Sequence, residues 1–312
     1  MAAGTKNSVE TAAMAQGTVA ADLVAVLVAV TGSGPCVLTV QGRQALPSGP
    51  LETAHRSLQS GLRAWVERQT HHPVGYLEQL YTFADRGRAP DGEGHLISIS
   101  YLGLTRRRGL PGHEAAWRSW YEFFPWEDHR AGRPALIGQT IVPRLTEWAA
   151  AAGASAREDR LRRTAIAFGE AWNEELALQR YELLFEAGLV PESAATPAAC
   201  VAAGQPMMSD HRRILATGIA RLRAKIKYRP VVFELMPPDF TLLQLQRCVE
   251  AIAGRAVHKQ NFRRLIELQE LVEETGGAAQ GTGGRPAKVF RFRREILAER
   301  AAAGTKPPLA RT

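Results

Sequence analysis

Residues 240–274 read FTLLQLQRCVEAIAGRAVHKQNFRRLIELQELVEE, and the punctuation of this stretch decides the fold of the C-terminal third. Pro237 and Pro238 stop one element just before it. Thr241 then reads as a helix N-cap, because a hydroxyl there accepts from a backbone N–H that the first turn leaves unpaired. Leu242, Leu245, Val249 and Ile252 recur at helical spacing and give one apolar stripe. Gly254 closes this helix, since glycine takes the left-handed conformation at no steric cost. A short turn leads to a second expected helix, from about His258 to Glu273. Its apolar positions Phe262, Leu265, Ile266, Leu268 and Leu271 are expected to face the core. Its other face carries His258, Lys259, Gln260, Asn261, Arg263 and Arg264. A helix, a glycine-containing turn and a helix with a basic, amide-bearing first half form a helix-turn-helix arrangement.

The chain that follows extends this reading. A Gly-rich turn at 281–284 leads into Arg285–Arg293, where Val289, Arg291 and Arg293 alternate with Phe290 and Phe292 as in a strand. A basic hairpin after the second helix is a wing, with Arg285 and Lys288 expected to lie along phosphate or to enter the minor groove. Arg and Lys read guanine edges and Asn and Gln read adenine edges, so the start of the second helix carries the side chains that a major-groove reader uses. Charge agrees with this placement. From Gly204 onward there are 20 Lys+Arg and 10 Asp+Glu, a net of +10, while the preceding 203 residues hold 19 and 21, a net of −2. A basic module on a near-neutral partner fits an anionic polymer bound by one end of the chain.

Bulk features exclude several other classes. Cys36, Cys200 and Cys248 are far apart and form no CxxC pair, so neither a zinc ribbon nor a disulfide framework is indicated. A reducing, cytoplasmic setting is expected. Residues 1–18 lack a basic segment before an apolar core, so no secretory leader is expected. The apolar run Ala20–Val30 is too short to span a bilayer and no membrane partner is expected.

The N-terminal half reads as strand, strand, helix, strand, strand. Leu23–Val30 and Cys36–Val40 are β-branched runs around a Gly/Pro turn. A helix is expected from about Glu52 to Gln69, then strands at Val74–Phe83 and His95–Leu104 around the polar loop 85–94. Trp117, Trp120, Tyr121, Phe123, Phe124 and Trp126 form an aromatic cluster with core packing as its expected use. Residues 157–189 are expected as one long helix, and 194–205 is rich in Ala, Pro and Gly.

The helix after Gly49 carries a second signal. Nudix phosphohydrolases use Gly, five residues, Glu, seven residues, then Arg-Glu-apolar-x-Glu-Glu-x-Gly, which projects carboxylates toward Mg²⁺ and a diphosphate. In that register Gly49, Arg63, Trp65 and Glu67 match, and His55, Ala64, Arg68 and Thr70 depart. Three of the four carboxylates are replaced, one by a cation that repels a metal. The bland alternative is a plain amphipathic helix with Arg63 and Glu67 as a surface pair.

The chain resembles the Nudix-related transcriptional regulators of NAD metabolism, the NrtR family, and especially their alphaproteobacterial branch. The resemblance rests on Ala45–Gly49, Gln79–Phe83 and Ser98–Leu102 in the first half, and on Trp120–Asp128 for the narrower branch. It is stronger in the second half, at Asp210–Leu215, Phe240–Leu242 with Leu245-Gln246, Asn261–Arg264 and Gly284–Ala287. It implies a homodimeric repressor of NAD biosynthesis or salvage genes that binds a palindromic operator in double-stranded DNA. It also implies an effector that is ADP-ribose, NAD or another adenine nucleotide, with no cofactor required. By position Thr241, Gln246, Lys259, Gln260, Asn261, Arg263, Arg264, Arg285 and Lys288 are the implied DNA-contacting set, and Gly49, Arg63 and Glu67 the ligand set.

The expected architecture is α+β. A Nudix-like α/β/α sandwich with a helical insert is expected over residues 20–196, a linker over 197–208, and a winged helix-turn-helix domain over 209–300. A disordered arm (1–19) and a disordered tail (301–312) are expected to flank them. The competing reading is an active Nudix diphosphohydrolase with an accessory nucleic-acid-binding domain. It requires Mg²⁺ carboxylates that the box has mostly lost, so no catalytic or metal-binding residue is assigned.

Overall fold

The computed structural model describes residues 19–32, 34–42, 44–84, 95–110, 114–193, 204–279 and 286–295. The expected arm up to residue 18, the expected tail, the loop 85–94, part of the expected linker and Arg285 lie outside them, while Val19 belongs to the first strand. The first half is built on β1 (Val19–Thr31), β2 (Gly34–Thr39), β3 (Ser48–Pro50), α1 (Leu58–Thr70), β4 (Tyr76–Phe83), β5 (His95–Leu104) and β6 (Ala116–Ser119). The sheet runs β4-β5-β1-β2-β6, with β3 beside β1. β1 is its centre, parallel to β5 and antiparallel to β2 and β3.

Period-2 alternation on β1 sorts its side chains onto two faces. Leu23, Ala25 and Leu27 join Leu62 and Val66 of α1 in one buried cluster. Val24, Val26 and Val28 join a larger cluster on the opposite face. Helix α1 starts later than expected because Ser57 and Ser60 form a reciprocal capping box. Its end turns at His71, which has φ 51°.

The insert comprises α2 (Trp120–Phe123), α3 (Val142–Ala150), α4 (Ala154–Phe168) and α5 (Ala177–Glu186). Trp120, Phe123, Phe124 and Trp126 are fully buried, so the aromatic run is core. The single helix expected over 157–189 is instead two. Gly169 leaves the helical conformation with ψ −170°, and Asn173 caps a new turn by accepting from the Glu175 N–H at 3.0 Å. Arg133 donates to the Phe168 carbonyl at 2.6 Å and to that of Gly169 at 3.1 Å, which satisfies carbonyls the broken helix exposes.

The chain then forms α6 (His211–Lys225), β7 (Asp239–Phe240), α7 (Leu242–Ala253), α8 (Lys259–Leu268), β8 (Val272–Ala279) and β9 (Ala287–Phe292). The expected boundary at 209 puts α6 with the winged helix. In the structure α6 covers the sheet face opposite α1, packing on β1, β4 and β5. Gly218 lies against Val26, where an added Cβ would come within 2.9 Å of that side chain. Helix α7 packs on β1 and β2, so one continuous hydrophobic cluster joins the sheet to the C-terminal unit. Burial pushes the Cys36 thiol to about 11 and the Cys248 thiol to about 12, so neither is a nucleophile near neutral pH. Among the described residues, no helix is long and apolar enough to cross a membrane.

Candidate nucleic-acid interface and ligand pocket

Local capping fixes where the C-terminal helices begin and end. Thr241 accepts from the Gln244 N–H at 3.2 Å, and the Gln244 side chain accepts from the Thr241 N–H at 2.7 Å. Gly254, at φ 72°, terminates α7 as expected. Helix α8 follows after five residues, Gly254 to His258. It ends at Leu268, short of the expected Glu273, because Glu270 turns to φ 50° and Val272 enters β8. The first strand of the wing thus occupies residues partly assigned to the helix. Strands β7, β9 and β8 form the wing sheet in that order. Phe233 stacks on Phe292 with ring centroids 4.2 Å apart, which anchors the base of the wing.

The packing of α8 corrects its expected core face. Phe262 is buried and Ile266 half-buried, one turn apart on the side facing α7. Leu265 and Leu268 lie 49% and 78% exposed, rotated off that side. Lys259, Gln260, Asn261, Arg263 and Arg264 are all exposed, and none of them pairs with a carboxylate among the described residues. Lys288 on β9 is held by Glu274 at 2.8 Å and Arg291 by Glu273 at 2.5 Å. These surface pairs contribute little to stability.

Two members of the implied contact set sit differently. Thr241 is buried and its hydroxyl serves the cap. Gln246 lies inside the module and not on the exposed face. Its amide nitrogen donates to Glu250 at 3.0 Å and to the Val257 carbonyl at 3.1 Å, while Glu250 accepts from the Val257 N–H at 2.9 Å. Gln246 therefore braces the turn between α7 and α8. The i,i+4 spacing of Gln246 and Glu250 was a sequence signal for such a pair.

In the N-terminal domain, Gly49 does not open onto free space. The Trp65 ring covers it so closely that any Cβ would collide, and Trp65 Nε1 donates to the Pro50 carbonyl at 3.0 Å. Arg63 spends its guanidinium on backbone, donating to the carbonyls of Val74 and, at 3.0 Å, Gly75. It ties α1 to the loop that enters β4. Glu67 is exposed. His55 packs beneath Gly61 and accepts from the Glu52 N–H at 3.1 Å. The four carboxylate positions of a Nudix box are thus His55, Ala64, Glu67 and Arg68, a donor set that does not fit Mg²⁺. Nearby, His72 is buried with Nε2 3.0 Å from the Thr105 hydroxyl. Burial, aided by Arg108, holds its pKa below the ordinary value.

Residues 232–292 match the family model of the NrtR DNA-binding winged helix domain. A curated relative, the ADPR responsive transcriptional repressor NtrR of Acinetobacter baylyi, is 41% identical over 83 residues, which are 27% of this chain and 33% of the relative. The matched segment thus spans about a third of that protein's length. The crystal structure of Shewanella oneidensis NrtR complexed with a 27mer DNA superposes with a TM-score of 0.55 at 18% identity, over 89% of this chain and 95% of that one. A MutT/nudix family protein from Enterococcus faecalis gives 0.52 at 16% identity, over 88% and 87%. The resemblance read from the sequence is borne out for the winged helix at residues 232–292, and the fold of the whole chain is that of a Nudix-like domain followed by a winged helix.

Proposed function

We propose, from a C-terminal unit that matches the NrtR DNA-binding winged helix, that this chain is a DNA-binding transcriptional repressor controlled by a metabolite bound to its Nudix-like domain. The observation that carries the proposal is the exposed row Lys259, Gln260, Asn261, Arg263 and Arg264 at the start of α8. Free cations and amides on a second helix supply both phosphate attraction and base-edge readout. The effector class is ADP-ribose or a related adenine nucleotide, supported by the name of the Acinetobacter relative. The target is a palindromic operator near genes of NAD biosynthesis or salvage, bound by a homodimer in the cytoplasm. Two-fold operators match two-fold proteins, and half-site spacing follows from the angle between the two recognition helices.

The same reading makes the first domain a sensor and not an enzyme. Glu67 alone remains where a hydrolase would cluster carboxylates. A metabolite seated in this domain shifts DNA affinity only by binding the DNA-competent and DNA-incompetent arrangements with different strength. The test is a fluorescence-anisotropy titration of the protein with duplexes from its own upstream region and from NAD-gene promoters, at moderate salt, with and without ADP-ribose. Sequence-specific binding that ADP-ribose weakens is expected. Binding with a steep salt dependence but no sequence preference would refute the repressor reading.

A further inference from the structure

The last turn of α7 leaves backbone carbonyls that its own helix cannot pair. Three in and after this turn are taken by donors from outside the winged helix. The Tyr121 hydroxyl on α2 donates to the Ala251 carbonyl at 2.7 Å. Arg223 Nε on α6 donates to the Ile252 carbonyl at 2.9 Å. The His129 backbone N–H donates to the Gly254 carbonyl at 2.6 Å. These donors converge on the point from which the chain turns into α8.

One carboxylate organises the group. Glu127 is fully buried and receives Arg180 Nε at 2.6 Å and Arg180 Nη2 at 2.9 Å, with Arg223 Nη1 on the same oxygen as the latter. Arg223 Nη1 also donates to the Glu174 carbonyl at 3.1 Å, and Arg223 Nη2 to the Glu127 carbonyl at 3.3 Å. Gly254 fits only as glycine, because a Cβ there would strike the Glu127 carbonyl. The insert, the sheet-covering helix α6 and the helix-turn-helix therefore meet at one polar hub inside an apolar surround. A buried charge network of this kind adds little stability over an apolar core, and in some proteins it selects one arrangement of the elements it joins.

We infer that Tyr121, Glu127 and Arg223 are positioning residues for DNA binding: they hold the turn 254–257 against the insert and so set the direction in which α8 is presented. The inference rests on the proposed DNA-binding function of α8. It gives the helical insert a role in that function, because the only elements anchoring the turn's carbonyls from outside the winged helix, among the described residues, are the insert and α6.

The test is Tyr121→Phe in the full chain, which removes one hydroxyl and keeps the ring packing. Hydrogen exchange is followed at amides 254–262 and in β1 and β5, and affinity is measured for a promoter duplex with and without ADP-ribose. Exchange at 254–262 is expected to rise about three- to tenfold with β1 and β5 unchanged, and DNA affinity to fall about three- to tenfold, the range for one lost buried hydrogen bond. Faster exchange with unchanged DNA affinity would make Tyr121 a stabilising contact only and overturn the inference. Unchanged exchange would overturn it as well. If the wild-type chain binds no promoter duplex, the repressor reading fails, and the exchange measurement alone decides whether the hub holds the turn.

Discussion

Arg180 and Glu127 face each other in two-point contact, Nε to Oε1 at 2.6 Å and Nη2 to Oε2 at 2.9 Å, and neither side chain touches solvent. Burial pushes the Glu127 carboxyl up, but Arg180 and Arg223 together pull it below the usual carboxylate range. Removing the carboxylate charge strands two guanidinium groups in the interior. Glu127→Leu is therefore expected to destabilise the chain by about 3–5 kcal/mol, the usual cost of breaking a buried pair from one side. Urea unfolding at neutral pH measures it. A loss below 1 kcal/mol would mean the pair is not load-sharing as described.

Gly254→Ala tests the other wall of the same hub. The residue sits at φ 72°, and its Cβ would meet the Glu127 carbonyl. The left-handed backbone alone costs about 1–2 kcal/mol for a residue with a Cβ, and the collision adds to it. A melting temperature equal to wild type would contradict the close approach.

Arg263→Ala and Arg264→Ala separate base reading from phosphate contact. A side chain on a base edge costs about 1–3 kcal/mol when removed and relaxes preference at that position. One on phosphate weakens all duplexes alike and lowers the salt slope by about 1. Two variants that both bind as wild type, with the same slope, would remove α8 from the interface.

Arg63→Ala cuts the tether from α1 to the carbonyls of Val74 and Gly75. On the sensor reading it leaves DNA affinity intact and blunts the response to ADP-ribose. The check is the thermal shift produced by ADP-ribose in wild type and variant. An equal shift in both would take Arg63 out of the ligand response.

Mild acid should weaken the fold. His129 stacks on Trp172 with ring centroids 3.7 Å apart and meets the Trp126 carbonyl through Nε2 at 3.2 Å. Burial lowers its pKa from 6.5, with Arg180 and Arg133 adding to the shift against Glu127. His72 is lowered in the same direction. A histidine depressed on folding takes its proton more readily when unfolded, so the stability it contributes is full above 6.5 and is lost as pH falls toward the folded value. The melting temperature should drop between pH 7.5 and 5.5, and less so in His129→Gln; identical curves for the two chains would exclude His129 as a cause.

The sequence by itself determined what depends on neighbours within about one helical turn. The Thr241 cap, the Gly254 stop, the exposed basic start of α8 and the alternation along β1 are all local, and each was legible from residue type and spacing. Tertiary structure decided what depends on partners far along the chain. Nothing near Gly49 announces that Trp65 covers it, nothing near Arg63 names Val74 as its acceptor, and nothing in the apolar pattern of 157–189 shows that the chain breaks at Gly169 where Arg133 collects the carbonyls. Arg223 finds Glu127 across 96 positions. The physical reason is one of range: capping and periodicity are properties of the backbone, whereas a buried polar group takes its partner from whatever packing brings within hydrogen-bond reach, and only the folded chain fixes that choice.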